Sequence, residues 1–418
     1  MNKKLSRRDF LKLASATSAG FALSACGVKP TELPTLTPTN TSIPTEMAKP
    51  FTLRALGEKL GIIIGESPAG DNPYNDAAYR KALGEHFSIL WPAGYLQSAM
   101  DLWGTDIARQ FRQSTIANGQ ILIVGPVFWN ADIPYTLKNA TKDNVIRYMQ
   151  KRVNAILEYV PKTNNDTQPT YIMFMNEGLW VDPRTGSEEW TKARYNWVDV
   201  EEGSSEKWKA GPEEWSENPY YRVFGDDLIV EIYLMIYRAA EEKGLILGKD
   251  YRMLYNDFNN HMTGFGTKTD FIRRVLGYSR KKIGAVLGIS EFNVQLDVGI
   301  EGNFFLDHRP WHILRPPTKA ELTDVITLYK EQVGKVHITE LNIIGAKNQA
   351  EITDTLGMLL QVAVKTECDS VSFWNALRCK TPISEQGDIY QVPQGLFDCD
   401  YKPTKDYEVL LQSLQRII

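Results

Sequence analysis

The chain of 418 residues is short of the side chains on which several large classes of chemistry depend. Histidine occurs only at His86, His261, His308, His312 and His337, and none of these has the HExxH or related spacing of a metal-binding helix. Of four cysteines, Cys26 lies near the start, which leaves Cys368, Cys379 and Cys399 in the main body. An odd number without CxxC spacing argues against a structural metal or a disulfide framework, and leaves a Cys379–Cys399 pair open. There is no GxSxG elbow, P-loop or GxGxxG run, so acyl transfer through an elbow serine and nucleotide binding have no support. Nor is there an excess of positive charge: 47 Lys and Arg against 51 Asp and Glu give a formal net charge of −4, with no broad basic field for nucleic acid. Long hydrophobic runs are also missing. The apolar stretch near the start, from about residue 13 to 25, is shorter than the roughly 20 residues a permanent membrane span requires.

What is present begins with a processing signal. Ser6-Arg7-Arg8-Asp9-Phe10-Leu11-Lys12 is a twin-arginine pattern ahead of that apolar stretch. The stretch ends in Leu23-Ser24-Ala25-Cys26-Gly27, which resembles a bacterial lipoprotein signal, cut before Cys26 and acylated on its thiol. The charged start, apolar middle and small-residue end agree on that reading. Residues 27–50 are rich in Thr and Pro with little to bury, as in an extended tether. The organisation expected is a signal peptide over 1–26, a flexible tether over 27–50 and one large domain over 51–418. It implies export and a position facing the cell surface or periplasm, with the lipid as the only attachment to the membrane.

From residue 51 onward, short apolar runs alternate with helical patterns. Strands are expected at 61–66, 87–91, 120–129, 169–175, 251–256, 285–295, 335–343 and 370–374, and helices at 143–159, 226–243, 268–281, 319–333 and 351–366. In the fourth of these helices Leu322, Val325, Ile326 and Tyr329 recur near the 3.6-residue period. Strand followed by helix about eight times, with strands that are near-continuous apolar runs, predicts an α/β fold, a (β/α)₈ barrel with its parallel strands buried on both faces. About forty residues between Glu177 and Phe224 break the rhythm and contain Trp180, Trp190, Trp197, Trp208 and Trp215. They follow the fourth strand on the face where barrel sites sit, either lining a cleft or closing a small core of their own.

Two strand ends present a glutamate, in Phe174-Met175-Asn176-Glu177 and in Ile338-Thr339-Glu340-Leu341-Asn342. The carboxyl ends of barrel strands converge on one face, so the fourth and seventh strands can aim both carboxyls across one cleft. Glycoside cleavage with retention needs such a pair about 5–5.5 Å apart, one protonated and one ionised. Ten Trp and nineteen Tyr supply rings that stack on sugars, although core packing uses them equally.

The motifs around these residues resemble glycoside hydrolase family 10, the endo-β-1,4-xylanases, from about Leu53 to Leu414. Val336-His337-Ile338-Thr339-Glu340-Leu341-Asn342 is similar to the family's nucleophile strand, and Asn176-Glu177 to its acid/base strand. Asn218-Pro219-Tyr220-Tyr221 with Gly225-Asp226-Asp227, Leu254-Tyr255-Asn256-Asp257-Phe258-Asn259, Ser372-Phe373-Trp374 and Gly395-Leu396-Phe397-Asp398 followed by Tyr401-Lys402-Pro403 match further family segments in order. The resemblance implies Glu177 as acid/base, Glu340 as nucleophile and Asn176 as a donor to the sugar 2-hydroxyl. It further implies Trp129, Asn130, Tyr255, Asn256, Gln295 and Trp374 as substrate contacts. Neither a metal nor any other cofactor is called for.

The departures lie on the donor-sugar side. Trp91-Pro92-Ala93-Gly94-Tyr95-Leu96-Gln97 lacks the family's Glu-Asn pair and Lys, and Trp129-Asn130-Ala131-Asp132 lacks its histidine. The sixth-strand Gln-x-His aligns with Gln295-Leu296-Asp297, and Asn342 replaces an Asp. Asp297 and Asn342 are thus expected as a supporting pair behind Glu340, although a carboxylate there raises the nucleophile's proton affinity. His337 reads as structural, and Asp257 and Asn259 as hydrogen-bonding groups rather than cation ligands. The expected activity is a retaining endo-β-1,4-glycanase on polysaccharide or oligosaccharide, xylan by default. The alternatives are a glycosidase with changed sugar specificity, a non-catalytic glycan-binding lipoprotein, and a barrel enzyme for a non-sugar ester or phosphate, which lacks the activated nucleophile or metal it needs.

Overall fold

The computed structural model describes residues 52–67, 76–92, 106–129, 137, 140–163, 168–178, 219–258, 260–262, 268–306, 315–346, 348–377 and 395–417. By its contacts the chain divides into Met1–Pro50 and Phe51–Ile418, and every described residue falls in the second unit. The expected processing signal with Cys26, the expected tether, the five loop tryptophans, Asn130, Asn259 and Cys379 lie outside the described residues. Cys399 is disulfide-bonded to a partner that also lies outside them, and Cys368 is free and buried.

The strands are β1 (Ile63–Ser67), β2 (Ile89–Leu90), β3 (Ile121–Val124), β4 (Phe128–Trp129), β5 (Thr170–Asn176), β6 (Tyr251–Asp257), β7 (Leu296–Phe305), β8 (Val336–Ile344) and β9 (Ser370–Trp374). All pair in parallel, in the order β3-β2-β1-β9-β8-β7-β6-β5-β4, and an additional β3–β5 pairing joins the ends. Since β4 continues β3 past Gly125-Pro126, the nine segments make eight staves of a closed barrel. Around it run α1 (Leu53–Leu60), α2 (Ala77–His86), α3 (Asp106–Ala117), α4 (Lys142–Leu157), α5 (Pro219–Phe224), α6 (Leu228–Glu242), α7 (Lys268–Leu287), α8 (Lys319–Lys330), α9 (Gln349–Lys365) and α10 (Lys405–Gln415).

Local chemistry sets the helix starts. Thr318 caps α8 in a reciprocal box with Glu321, while Thr141, Asn348 and Thr404 cap α4, α9 and α10 with their side-chain oxygens. The helix ring closes where the α10 hydroxyl of Tyr407 accepts from the Leu53 amide at 2.8 Å and meets His86 Nδ1 at 2.7 Å.

Two apolar layers follow from strand alternation. Outward residues such as Ile172, Phe174, Val298 and Ile338 pack under the helices, while Ile89, Trp91, Ile121, Ile123, Tyr171, Met173 and Leu254 fill the barrel. The lower end of the interior is polar but paired. Arg252 forks onto Asp297 through Nε and Nη2 at 2.6 and 2.7 Å and reaches Gln295 Oε1 at 3.0 Å. His337 faces inward, with Nδ1 2.7 Å from Ser370 Oγ and its ring edge on Tyr171. Burial, with Lys335 and Arg252 nearby, lowers its pKa to about 3, so it is a neutral structural group.

One element departs from the sequence reading. The strand expected at 285–295 lies at 296–305. Ala285-Val286-Leu287 is the last turn of α7, and Gly288 beyond it takes φ 67°, a left-handed helix end. The apolar run there is a surface feature, with Val286, Ile289 and Phe292 all exposed.

Candidate active site

The upper end of the barrel gathers the acidic residues. Glu177 follows β5, its amide donating to the Asn256 carbonyl at 2.9 Å, and Glu340 lies within β8. Both take left-handed backbone angles, φ 50° and 54°, which L-residues rarely adopt. At Glu340 the cause is a bulge: the pairing slips between Glu301 and Asn303 against β7 and between Ile338 and Leu341 against β9. An extra residue in the strand lets Thr339 and Glu340 address the same cleft, where strict alternation turns one of them away.

The side chains meet on Asn256, which is fully buried. Its Oδ1 accepts from Thr339 Oγ1, which orients the amide. Its Nδ2 donates to Asn176 Oδ1 at 2.7 Å, Glu301 Oε1 at 2.9 Å and Glu340 Oε1 at 3.3 Å. Asn303 Nδ2 donates to the other Glu340 oxygen at 3.1 Å. Beside this network Asp257 is bound by Lys268 Nζ at 2.5 Å and by the Tyr255 hydroxyl, and Lys268 also lies over the Phe258 ring.

Burial dominates the proton affinities. It pushes Glu177 up to about 7; the Asp257 charge adds to this, while the Trp129 indole and Lys268 oppose it. The indole nitrogen makes no well-formed hydrogen bond, so its effect is that of a nearby dipole. Glu340 is pushed up to about 8 by burial and then by the Glu177 charge, against donation from Asn303 and Asn256. The second of these raising effects vanishes when Glu177 holds the proton. As they stand the two values put the proton on Glu340; with Glu177 neutral, the two amide donors favour the Glu340 anion, which is the arrangement the expected roles require.

Several expected residues sit differently. Gln295 and Asp297 are at the lower end of the barrel, bound to Arg252, and contact neither Glu340 nor a cleft. Asp297 is four residues below Glu301 on β7, about 13 Å along an extended strand. The group that reaches Glu340 from β7 is Asn303, and Asn342 is its register partner, not that of Asp297. Tyr255 is fully buried against Phe174 with its hydroxyl on Asp257, so it supports the site from behind. Asn176, Asn256 and Asn342 are buried within the cluster, while Trp129 and Trp374 remain partly exposed. Trp374 meets Trp91 edge to face.

The sequence reading missed Glu301, Asn303 and Thr339 as site residues. The signal for the first two was a period of two: Leu296, Val298 and Ile300 alternate with Asp297, Gly299, Glu301 and, beyond Gly302, Asn303. Polar residues on the inward face hide such a strand from any search for apolar runs.

Comparison with known proteins decides the architecture. The chain superposes on a psychrophilic glycoside hydrolase family 10 endo-β-1,4-xylanase with a TM-score of 0.59 at 18% identity, covering 86% of this chain and 99% of that one. The fold is that of the family 10 endo-xylanases. Xylanase 10B from Thermotoga maritima gives a TM-score of 0.61 at 15% identity, over 88% of this chain and 99% of that one. Xylanase 10B from Thermotoga petrophila RKU-1, solved with xylobiose, gives 0.62 at 14% identity over the same shares. No family model matches the sequence, and no curated protein matches it.

Proposed function

We propose that the chain is a retaining endo-β-1,4-glycanase, most simply an endo-1,4-β-xylanase, with Glu177 as acid/base and Glu340 as nucleophile. The observation that carries this reading is that two glutamates in left-handed backbone meet at the barrel's carboxyl end, Glu340 held by Asn256 and Asn303 and close enough to Glu177 for that charge to raise its proton affinity. In the first step Glu177 gives its proton to the leaving glycosidic oxygen while the Glu340 carboxylate attacks the sugar carbon. In the second, Glu177 accepts a proton from water, which displaces the sugar from Glu340. Asn256 and Asn303 hold the Glu340 anion, and Trp374 offers a partly exposed ring beside the cluster.

A glycosidase with changed sugar preference is the second reading, favoured by Glu301 and Asn303 beside the nucleophile. Buried polar contacts discriminate strongly between sugars, so a changed polar set beside the nucleophile changes which sugar is accepted. The terminal pattern around Arg7, Arg8 and Cys26 supports export as a membrane-anchored lipoprotein working on external glycan.

The test is product release from xylan, arabinoxylan, glucuronoxylan, mixed-linkage glucan and mannan by wild type, Glu177→Ala and Glu340→Ala. Oligosaccharides released from a xylan and abolished in both variants are expected. Silence on every glycan with binding to one intact would replace the enzyme with a binding protein.

A further inference from the structure

The Asn256 amide is oversubscribed. Its orientation is set by Thr339, so its nitrogen faces Asn176, Glu301 and Glu340 together. An NH₂ group has two hydrogens for these three acceptors. Glu301 is buried, and Asn256 Nδ2 is its one hydrogen-bond partner among the described residues. The charged groups facing it are Asp257 from β6, Glu340 from β8, Glu177 from the end of β5 and Lys268 from α7. Lys268 is the single cation among them, and it is already bound to Asp257. What remains is two carboxyl groups, Glu301 and Glu340, on one amide, with Glu177 close enough to raise the proton affinity of both and no other cation facing Glu301 among the described residues.

Three anions there are untenable, since each charge raises the others' proton affinity. We propose that Glu301 is a positioning residue: a third carboxyl group that keeps its own proton, leaves the Asn256 amide to Glu340 and so assigns the site's negative charge to the nucleophile. This rests on the reading of Glu177 and Glu340 as the catalytic pair. The protonated group turns its carbonyl oxygen to Asn256 Nδ2, a weaker acceptor than a carboxylate oxygen, and carries the proton on its other oxygen, as a glutamine carries its NH₂ there. Burial first, then Glu340 and Glu177, holds Glu301 well above the ordinary carboxylate range, in the same direction.

The proton has a signature in stability. A carboxyl whose folded pKa is raised binds more protons in the native than in the unfolded chain between the two values. Its stabilising contribution is therefore complete below the unfolded value and is lost as pH rises through the folded one. Glu301→Gln removes that loss.

The experiment compares wild type, Glu301→Gln and Glu301→Ala by the pH profile of kcat/KM on the glycan the wild type cleaves, and by Tm at pH 5 and pH 8. The expected result is that Gln recovers at least about tenfold over Ala, with the acid limb within half a unit of wild type. Between pH 5 and 8, wild type should lose at least about 2 °C more than the Gln variant. The proposal is overturned if the acid limb of the Gln variant moves down by a unit or more, which means that Glu301 is charged in the wild type. It is equally overturned if Gln fares no better than Ala, if Ala matches wild type, or if the Tm differences are the same. Should the wild type cleave no glycan, the catalytic reading falls, and the Tm comparison still decides where the proton is.

Discussion

A carboxyl group sealed at the mouth of a barrel keeps its proton unless donors favour the anion. At Glu340 those donors are Asn256 at 3.3 Å and Asn303 at 3.1 Å, one on each oxygen. Hydrogen bonds to charged groups contribute about 1.5–3 kcal/mol each. Replacing Asn303 with Ala is therefore expected to lower kcat by about ten- to hundredfold, since each 1.4 kcal/mol is tenfold. The sign of the pH effect follows as well. On the proposed reading Glu340 attacks as an anion, and losing a donor raises its pKa further, so the acid limb of kcat/KM moves to higher pH. A pH–rate profile of the variant checks both, and an unmoved acid limb would show that Asn303 does not hold the anion.

At the scale of the element, β7 is where the site was hardest to read. It carries Asp297, Gly299, Glu301 and Asn303 on its inner face, a polar row that resembles a loop when apolar runs are sought. β5 was legible because Tyr171–Met175 form an apolar run just ahead of Asn176-Glu177, and β8 because its motif up to Glu340 resembles a known strand, and the amphipathic helices α4, α6, α8 and α9 stand within three residues of where the periodicity places them. Displacing the sixth strand by about ten residues was enough to give Gln295 and Asp297 roles that belong to the Glu301–Asn303 stretch. The bulge at Glu340 was not legible at all, because it arises from pairing with two neighbouring strands and not from any local residue pattern. Gly299 shows how tightly β7 fits: a Cβ there meets Asn256 Oδ1 at 2.2 Å and Thr339 Cγ2 at 3.3 Å. Gly299→Ala is expected to push the Asn256 amide out of the network and to cost about 1–3 kcal/mol of stability. Thermal unfolding together with kcat of the purified variant measures it. A variant with wild-type activity would mean that the amide is not the hub described.

For the whole molecule, the barrel separates its tasks by end. The upper end holds a strained, crowded acidic cluster; the lower end holds Arg252, Asp297, Gln295, His337 and Ser370 in mutual hydrogen bonds. Barrels of this architecture carry their chemistry at the carboxyl end of the strands, which leaves the lower end to stability. Asp297→Ala tests that division. Breaking a buried pair costs about 3–5 kcal/mol, so Tm should fall by several degrees while kcat/KM stays within about twofold. A large loss of kcat/KM with an unchanged Tm would return Asp297 to the support of Glu340.

The Arg252–Asp297 and Lys268–Asp257 pairs also set how the molecule responds to heat. Hydration of charged groups weakens as temperature rises, so the cost of having stripped water from these four side chains shrinks on warming. Hydrophobic burial gains nothing comparable in the same range. A barrel pinned by ion pairs at one end and beside its acidic cluster is therefore least favoured by them in the cold, and its charged interior suits warm conditions better than cool ones.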